Sequence, residues 1–462
     1  MSGKYVAYPE YKDSEIDWVE KLPSHWELSK LRYMFSFGKG LTITKENLSD
    51  EGIPCVNYGE VHSKFGFEVN PEIHPLKCVN DSYIKSSPRA LLVKGDIVFA
   101  DTSEDIEGSG NFTQLTSDEK VFAGYHTIIA RPNDRQCSRF YAYLLDSLEF
   151  RTQVRHAVKG VKVFSVTQAI LRGINIWLPS LEERKKIANF LDRETAKIDT
   201  SIEKQQQLIK LLKEKRKAAI SKAVTQGVNT QVETKDSGID WLGKIPAHWD
   251  IRRAKFLFEE QNRAVREVDG IVTVFRDGQV CLRSRRRYSG FTMAVLEHGY
   301  QGIRKGDLVI HSMDAFAGAI GTSEDDGRAT PEYVVVKPYN SKMNSEYYAD
   351  ILRLMAERDY IFVLCPSVRE RAPRFRFSKF QQVLLPVPPT DEQDEIKSYL
   401  EDMLGRYVGL IKKAEVQIKL LQERRAALIS AAVTGKIDVR YFNPGDGQSP
   451  EPSNTNNKEV AA

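Results

Sequence analysis

Two runs in the second half of the chain set guanidinium groups close enough together to hold a polyanion. CLRSRRRYSG carries Arg283, Arg285, Arg286 and Arg287, and SVRERAPRFRFSKF carries Arg369, Arg371, Arg374, Arg376 and Lys379. A guanidinium is planar and always charged, and it matches both phosphate oxygens and the O6/N7 edge of guanine. Phe375, Phe377 and Phe380 interleave with the cations of the second run, so an extended segment there would bury one face and turn a basic one outward. The first half has a corresponding stretch, RTQVRHAVKGVKVFS, with Arg151, Arg155, His156, Lys159 and Lys162 around a turn expected at Gly160. A solvated charged edge accounts for either run alone. Its recurrence in the same place in both halves favours a ligand. Total charge does not decide the matter, because 67 basic against 63 acidic residues leave only +4.

Other chemistries find little support. The chain has no GxxxxGK[ST] phosphate loop, no HExxH and no Cys/His cluster with metal-ligand spacing. FSFGKG, Phe35 to Gly40, has the look of a glycine turn in an S-adenosylmethionine pocket, but it lacks a preceding strand run and an NPPY-type companion. His25 and His248 recur in matched PxHW turns beside Trp26 and Trp249, which suits a packed structural turn better than a catalytic one. The acidic pairs Glu104/Asp105 and Asp325/Asp326 fall in loop-like segments and read as solvated. Five scattered cysteines, Cys55, Cys78, Cys137, Cys281 and Cys365, suggest neither a disulfide framework nor a zinc site and point to a reducing cytoplasm. The opening MSGKYVAYPEYKDSE has no apolar signal core, and no apolar run approaches the ~18 residues of a membrane span. A soluble cytoplasmic protein is the expectation.

The elements that must position the basic loops come in duplicate. DSEIDWVEKLPSHWELSKLRYMF, from Asp13, returns as DSGIDWLGKIPAHWDIRRAKFLF, from Asp236, with ten identities in twenty-three positions. Leu178 to Thr225 aligns with Val387 to Thr434 without a gap and shares an IS-x-AVT ending. Each of these latter segments lacks internal proline after its first residues, and each carries a heptad seam, so each reads as one long helix. The first seam is Leu191, Thr195, Ile198, Ile202, Gln205, Ile209, Leu212, Arg216 and Ala219; the second is Leu400, Leu404, Tyr407, Ile411, Ala414, Ile418, Leu421, Arg425 and Leu428. A helix of about 40 residues extends ~60 Å, more than a single domain needs to cover its own core, so the two seams are expected to pair with each other. Between the repeated blocks, short β-type runs such as GDIVFA and GDLVIHS alternate with turn residues, and helical segments are expected near Ser138 to Val154 and Ser345 to Tyr360. The class is α+β, with an internal repeat.

The opening YPEYKDSEIDWVEKLPSHWE, its echo, the LPS-LEERKKIANFLD and VPP-TDEQDEIKSYLE helix starts and the two IS-x-AVT endings resemble the specificity subunit of type I restriction-modification systems. That resemblance implies two globular target recognition domains, each reading half of a bipartite duplex DNA target, with the two long helices forming an intramolecular antiparallel coiled coil between them. The implied boundaries are 1–177 and 228–386 for the recognition domains and 178–227 and 387–435 for the spacer helices. A tail at 436–462, rich in Pro, Gly, Ser and Asn, is expected to be disordered. It also implies a non-catalytic chain holding no cofactor, with S-adenosylmethionine, ATP and Mg2+ on its partners, two modification subunits and the restriction subunits. On this reading the DNA contacts are Arg155, Lys159, Lys162 and the nine cations of the second half. A self-contained methyltransferase or nuclease, or a coiled-coil scaffold that binds protein rather than DNA, are the alternatives.

Overall fold

The computed structural model describes residues 5–160, 162–229, 231–286, 299–365 and 374–442 of the 462. The chain divides into two compact units. The first comprises residues 1–205 with 416–462, and the second residues 206–415. Each unit therefore holds the beginning of one long helix and the end of the other.

In the first unit a five-stranded sheet runs in the order Phe35–Lys39, Thr127–Pro132, Ile97–Ala100, Phe112–Leu115, Phe67–Val69. Its pairings are antiparallel except the last, which is parallel. FSFGKG is thus an edge strand, Phe35 opposite Pro132, and not a cofactor turn. A second, four-stranded sheet uses Cys78–Val79, Ile53–Val56, Val121–Ala123 and Leu91–Leu92. Helices Ser138–Asp146 and Leu148–Ala157 cover the core, separated at Ser147, whose extended backbone and side chain cap the second of them through Phe150 N–H.

The second unit repeats this plan with less material. Its four-stranded sheet runs Phe258–Glu260, Tyr333–Pro338, Leu308–His311, Ile320–Thr322, and Phe258 again lies opposite a proline, Pro338. Two short two-stranded ladders, Val272–Val274 with Val280–Leu282 and Gln301–Ile303 with Gly327–Ala329, stand where the first unit has its second sheet. Helix Ser345–Glu357 supplies the buried tyrosines Tyr347 and Tyr348. The shared KGD turn works alike in both. Asp96 is buried, accepts Val93 N–H at 3.0 Å and pairs with Arg131 and Arg135. Asp307 is buried, accepts Arg304 N–H at 2.8 Å and pairs with Arg263. All five cysteines are buried free thiols.

The long helices, Leu181–Gln226 and Thr390–Val433, follow the heptad spacing. From Ile202 to Ala219 the residues shielded from solvent are Ile202, Gln205, Ile209, Leu212, Arg216 and Ala219. From Leu404 to Leu428 they are Leu404, Tyr407, Ile411, Ala414, Ile418, Leu421, Arg425 and Leu428, and every residue between them is exposed. In the first unit Ile187, Leu191 and Ile198 share a core with Leu428, Ile429 and Val433. In the second unit Ala223 and Val224 share one with Ile396, Leu400 and Met403. Start meets end in each case, so the pairing is antiparallel. No helix among the described residues is long and apolar enough to cross a membrane.

The PxHW turns hold the helix starts. Glu183 is the third residue of the first long helix and accepts the indole N–H of buried Trp26 at 3.1 Å and faces His25 Nε2 at 3.0 Å. Glu392, third in the second long helix, takes Trp249 at 3.0 Å and His248 at 2.8 Å. A carboxylate in a helix's first turn also meets the positive end of the macrodipole. The helix ends are fitted to the same tryptophans. Gly227 (φ +75°) and Gly435 (φ +72°) close them in the left-handed region, and a Cβ at Gly435 would lie 3.3 Å from the Trp26 ring and 2.4 Å from Pro23.

The opening of the expected disordered tail is ordered instead. Ile437 and Val439 are buried, Asp438 N–H bonds Val6 C=O at 2.8 Å, and Phe442 meets Phe190 edge-on. Apolar residues at alternate positions made this short stretch a strap over the first unit. Residues 443–462 lie outside the described residues.

The seam arginines are unequally served. Arg425 bonds Asp199 at 3.0 Å and approaches Asp146 at 3.4 Å, whereas the Nε of its counterpart Arg216 is buried without a partner among the described residues. The position matching Asp199 is Val408, half exposed. Val408→Asp is expected to raise stability by ~0.5–1 kcal/mol through a partly buried pair, and Glu392→Ala to lower it by ~1–3 kcal/mol by orphaning the Trp249 indole. Urea denaturation of both variants measures these changes.

Candidate nucleic-acid interface

In the first unit the basic stretch leaves helix Leu148–Ala157 and turns back at Gly160, where a Cβ would stand 2.1 Å from Val163 C=O. Only glycine fits so close an approach. A bridge between Lys159 and Ser165, and the ladder of Phe164–Ser165 with Thr102–Ser103, pin the returning strand. Lys159 and Lys162 project into solvent with no carboxylate partner among the described residues. Arg155 faces inward by contrast. It donates to Glu107 C=O at 2.8 Å, and burial, with Arg151 adding to it, lowers its pKa. Arg151 is tied to Asp146 and Asn111. The structure therefore separates two free lysines from two arginines that hold the loop together.

In the second unit the cations are mostly spoken for. Arg283 donates to Thr273 Oγ1 at 3.1 Å. Arg285 pairs with Asp325 at 2.8 Å. Arg286 pairs with Asp277 at 2.6 Å and lies over the Phe275 ring at 4.2 Å. Arg374 pairs with Glu332 at 2.5 Å. Arg376 and Lys379 are exposed and form no ion pair among the described residues, although the Arg376 charge, with that of Arg374, helps hold the Glu332 carboxyl low. Arg287, Arg369 and Arg371 lie outside the described residues.

The aromatic residues of this segment behave as their spacing suggested, though by a different backbone. Phe375 and Phe380 are buried, but Phe377–Phe380 is a helical turn and not a strand. Phe375 N–H bonds Ser312 C=O at 2.9 Å, which anchors the chain beside the sheet while Arg376 faces out.

The acidic partners were not legible as such. Asp325 is no solvated loop residue: it accepts Leu282 N–H at 3.0 Å, and that bond, aided by Arg285, holds its carboxyl below the usual range. Asp326 likewise accepts Lys305 N–H and pairs with Arg266. Asp277 is held low chiefly by Arg286. Exposed pairs of this kind are screened by water and contribute little, so an incoming phosphate can compete for the same guanidinium.

Comparison with known proteins fits this arrangement. Residues 23–211 match the family model described as type I restriction modification DNA specificity domain. The StySPI specificity subunit of Salmonella potsdam is 24% identical over 433 residues, 91% of either chain. The putative MjaX specificity subunit of Methanocaldococcus jannaschii is 26% identical over 243 residues, 52% of this chain and only 54% of that one. Among solved structures, one from a study of complex assembly and conformational transition of the type I R-M system aligns over 90% of this chain and 99% of its own, with TM-score 0.60 and 17% identity. The HsdS subunit from Thermoanaerobacter tengcongensis covers 90% of this chain and 98% of its own, with TM-score 0.51 and 15% identity. These two likenesses establish the fold.

Replacing both Lys159 and Lys162 by alanine is expected to flatten the dependence of log affinity on log salt for a mixed-sequence duplex by ~2, about 0.9 per lost phosphate contact. Arg285→Ala, whose charge is already matched by Asp325, should leave the slope within ~0.5 of wild type. Fluorescence anisotropy across a KCl series measures both.

Proposed function

From the premise that the chain belongs to the specificity subunits of type I restriction-modification systems, we propose that it reads a bipartite duplex DNA target, one half with each repeated domain, and directs partner subunits to it. As such a subunit it is non-catalytic. The observation that carries the reading is the duplication itself: the frame is kept in both units, from PxHW turn to helix clamp to KGD turn, while the segments between differ in length and pairing. A frame kept twice suits a partner met twice, and segments that differ suit two different half-sites.

Each domain positions itself by phosphate contacts and discriminates by a few contacts to base edges. The free cations, Lys159 and Lys162 in the first unit and Arg376 and Lys379 in the second, are the first candidates for those contacts. The paired arginines Arg285, Arg286 and Arg374 are candidates only by exchanging a carboxylate for DNA, and Arg155 serves chiefly to hold its loop. Recognition domains are taken as 1–177 and 228–386, joined by spacer helices 178–227 and 387–435.

The helix pair acts as a ruler between half-sites. Two modification subunits, one for each repeat, bind the chain, and the restriction subunits join them. S-adenosylmethionine, ATP and Mg2+ belong to those partners, and the assembly works in the cytoplasm. A protein-binding scaffold and a self-contained methyltransferase or nuclease find no support in the relatives, which are specificity subunits.

Removing one heptad from each long helix, residues 206–212 with 412–418, shortens the pair by ~10 Å. The non-specific spacer in the methylated motif is then expected to shrink by about three base pairs at ~3.4 Å each, with both half-sites unchanged. Sequencing of methylated sites in cells carrying the variant reads the spacer directly, and an unchanged spacer would remove the ruler from the account.

A further inference from the structure

The duplicated block ends in LRYMF and AKFLF, and its central aromatic is out in solvent in both copies. Tyr33 is 62% exposed and its counterpart Phe256 is 65% exposed. Each sits on a single helical turn, Leu31–Met34 or Ala254–Phe256. Each turn is fixed on both sides in the same way. Leu31 N–H bonds Ile174 C=O and Asn133 N–H bonds Met34 C=O; Ala254 N–H bonds Val383 C=O and Tyr339 N–H bonds Leu257 C=O. Leu31, Ala254 and Leu257 are buried. The turns are therefore rigid mounts, and the rings they present are in no core.

Each ring is accompanied by its neighbour's positive charge. Arg32 lies 4.9 Å from the Tyr33 ring centre, and the Lys255 ammonium 4.8 Å from that of Phe256. Lys30 and Arg32 in one copy, Arg253 and Lys255 in the other, have no carboxylate partner among the described residues. An exposed aromatic on a fixed backbone, ringed by free cations, has the composition of an interface anchor.

The repeat narrows the occupant. Residues that read two different half-sites differ between copies, whereas these two patches keep charge, aromatic character and mount. They meet the same thing twice. A duplex backbone is also met twice, but it gives a phenyl ring nothing apolar to bury against. A protein surface does.

We propose that Tyr33 and Phe256 are matched anchors for two copies of one modification subunit, each ring entering an apolar socket rimmed by carboxylates. The assignment rests on the function proposed above and adds to it the surface and its chemistry.

Titration of the full-length chain with the modification subunit of its own system, followed by native mass spectrometry and calorimetry, tests it. The wild-type chain is expected to take two copies. Tyr33→Ala and Phe256→Ala should each weaken one of the two binding steps by ~10- to 30-fold and leave the other, and the double variant should weaken both. Arg32→Glu and Lys255→Glu repeat the test by charge, with thermal unfolding and duplex affinity of the chain unchanged throughout. Two copies held as tightly as before by the double variant overturn the anchors. So does a loss of duplex affinity with partner binding intact, which assigns the patch to DNA. A wild-type chain that takes no modification subunit at all overturns the underlying reading and the anchors with it, and is told apart because it needs no variant.

Discussion

A helix of more than forty residues with a single apolar stripe has to find a partner for that stripe along its whole length. Within each unit, the start of one helix finds that partner in the end of its duplicate. Because the copies are antiparallel, the start of each helix lies in the unit that receives the end of the other. One seam therefore ties sequence-distant segments into each unit's core: Val433 C=O takes the indole N–H of Trp177, and Val224 C=O takes the hydroxyl of Tyr347 at 2.9 Å. The carboxylates Glu183 and Glu392 then fix where each helix begins relative to the PxHW turn. Buried hydrogen bonds of this kind add ~0.5–1.5 kcal/mol net each, but leaving such a group unpaired costs more than making the bond gains. Their effect is on register more than on total stability.

The parts of this design that are periodic or duplicated were legible in the sequence. Alternating steps of four and three marked Ile209, Leu212, Ile411 and Ile418 as a seam without any knowledge of what they face, since a stripe is a local property of one helix. The turn at Gly160, the helices near Ser138 and Ser345 and the burial of Phe375 and Phe380 were likewise local. What failed was long-range. Nothing near Arg285 announces Asp325, forty residues on, and nothing near Trp26 announces Glu183. Runs of basic residues thus looked uniformly available, when Arg285, Arg286 and Arg374 are matched and, among the described residues, Lys159, Lys162, Arg376 and Lys379 form no ion pair. The tail was misjudged at its head because composition averaged over 436–462 hid the alternation of Ile437 and Val439.

Symmetry and its breaking divide the labour. Where the copies agree, as in the clamp, the KGD turn and the exposed Tyr33/Phe256 mounts, they serve the frame and whatever meets both units alike. Where they part, one unit has a second sheet of four strands and the other, among the described residues, short two-stranded ladders, and their basic loops differ in which cations are paired. The function proposed here, joining identical partners while reading two unlike half-sites, calls for both properties at once.

The most direct measurement is genome-wide adenine methylation in cells with and without this gene. The account predicts that methylation at one bipartite motif, two fixed half-sites across a fixed non-specific gap, disappears with the gene and returns when it is restored. An identical methylation pattern in both strains, with the modification subunits expressed and active, would contradict it.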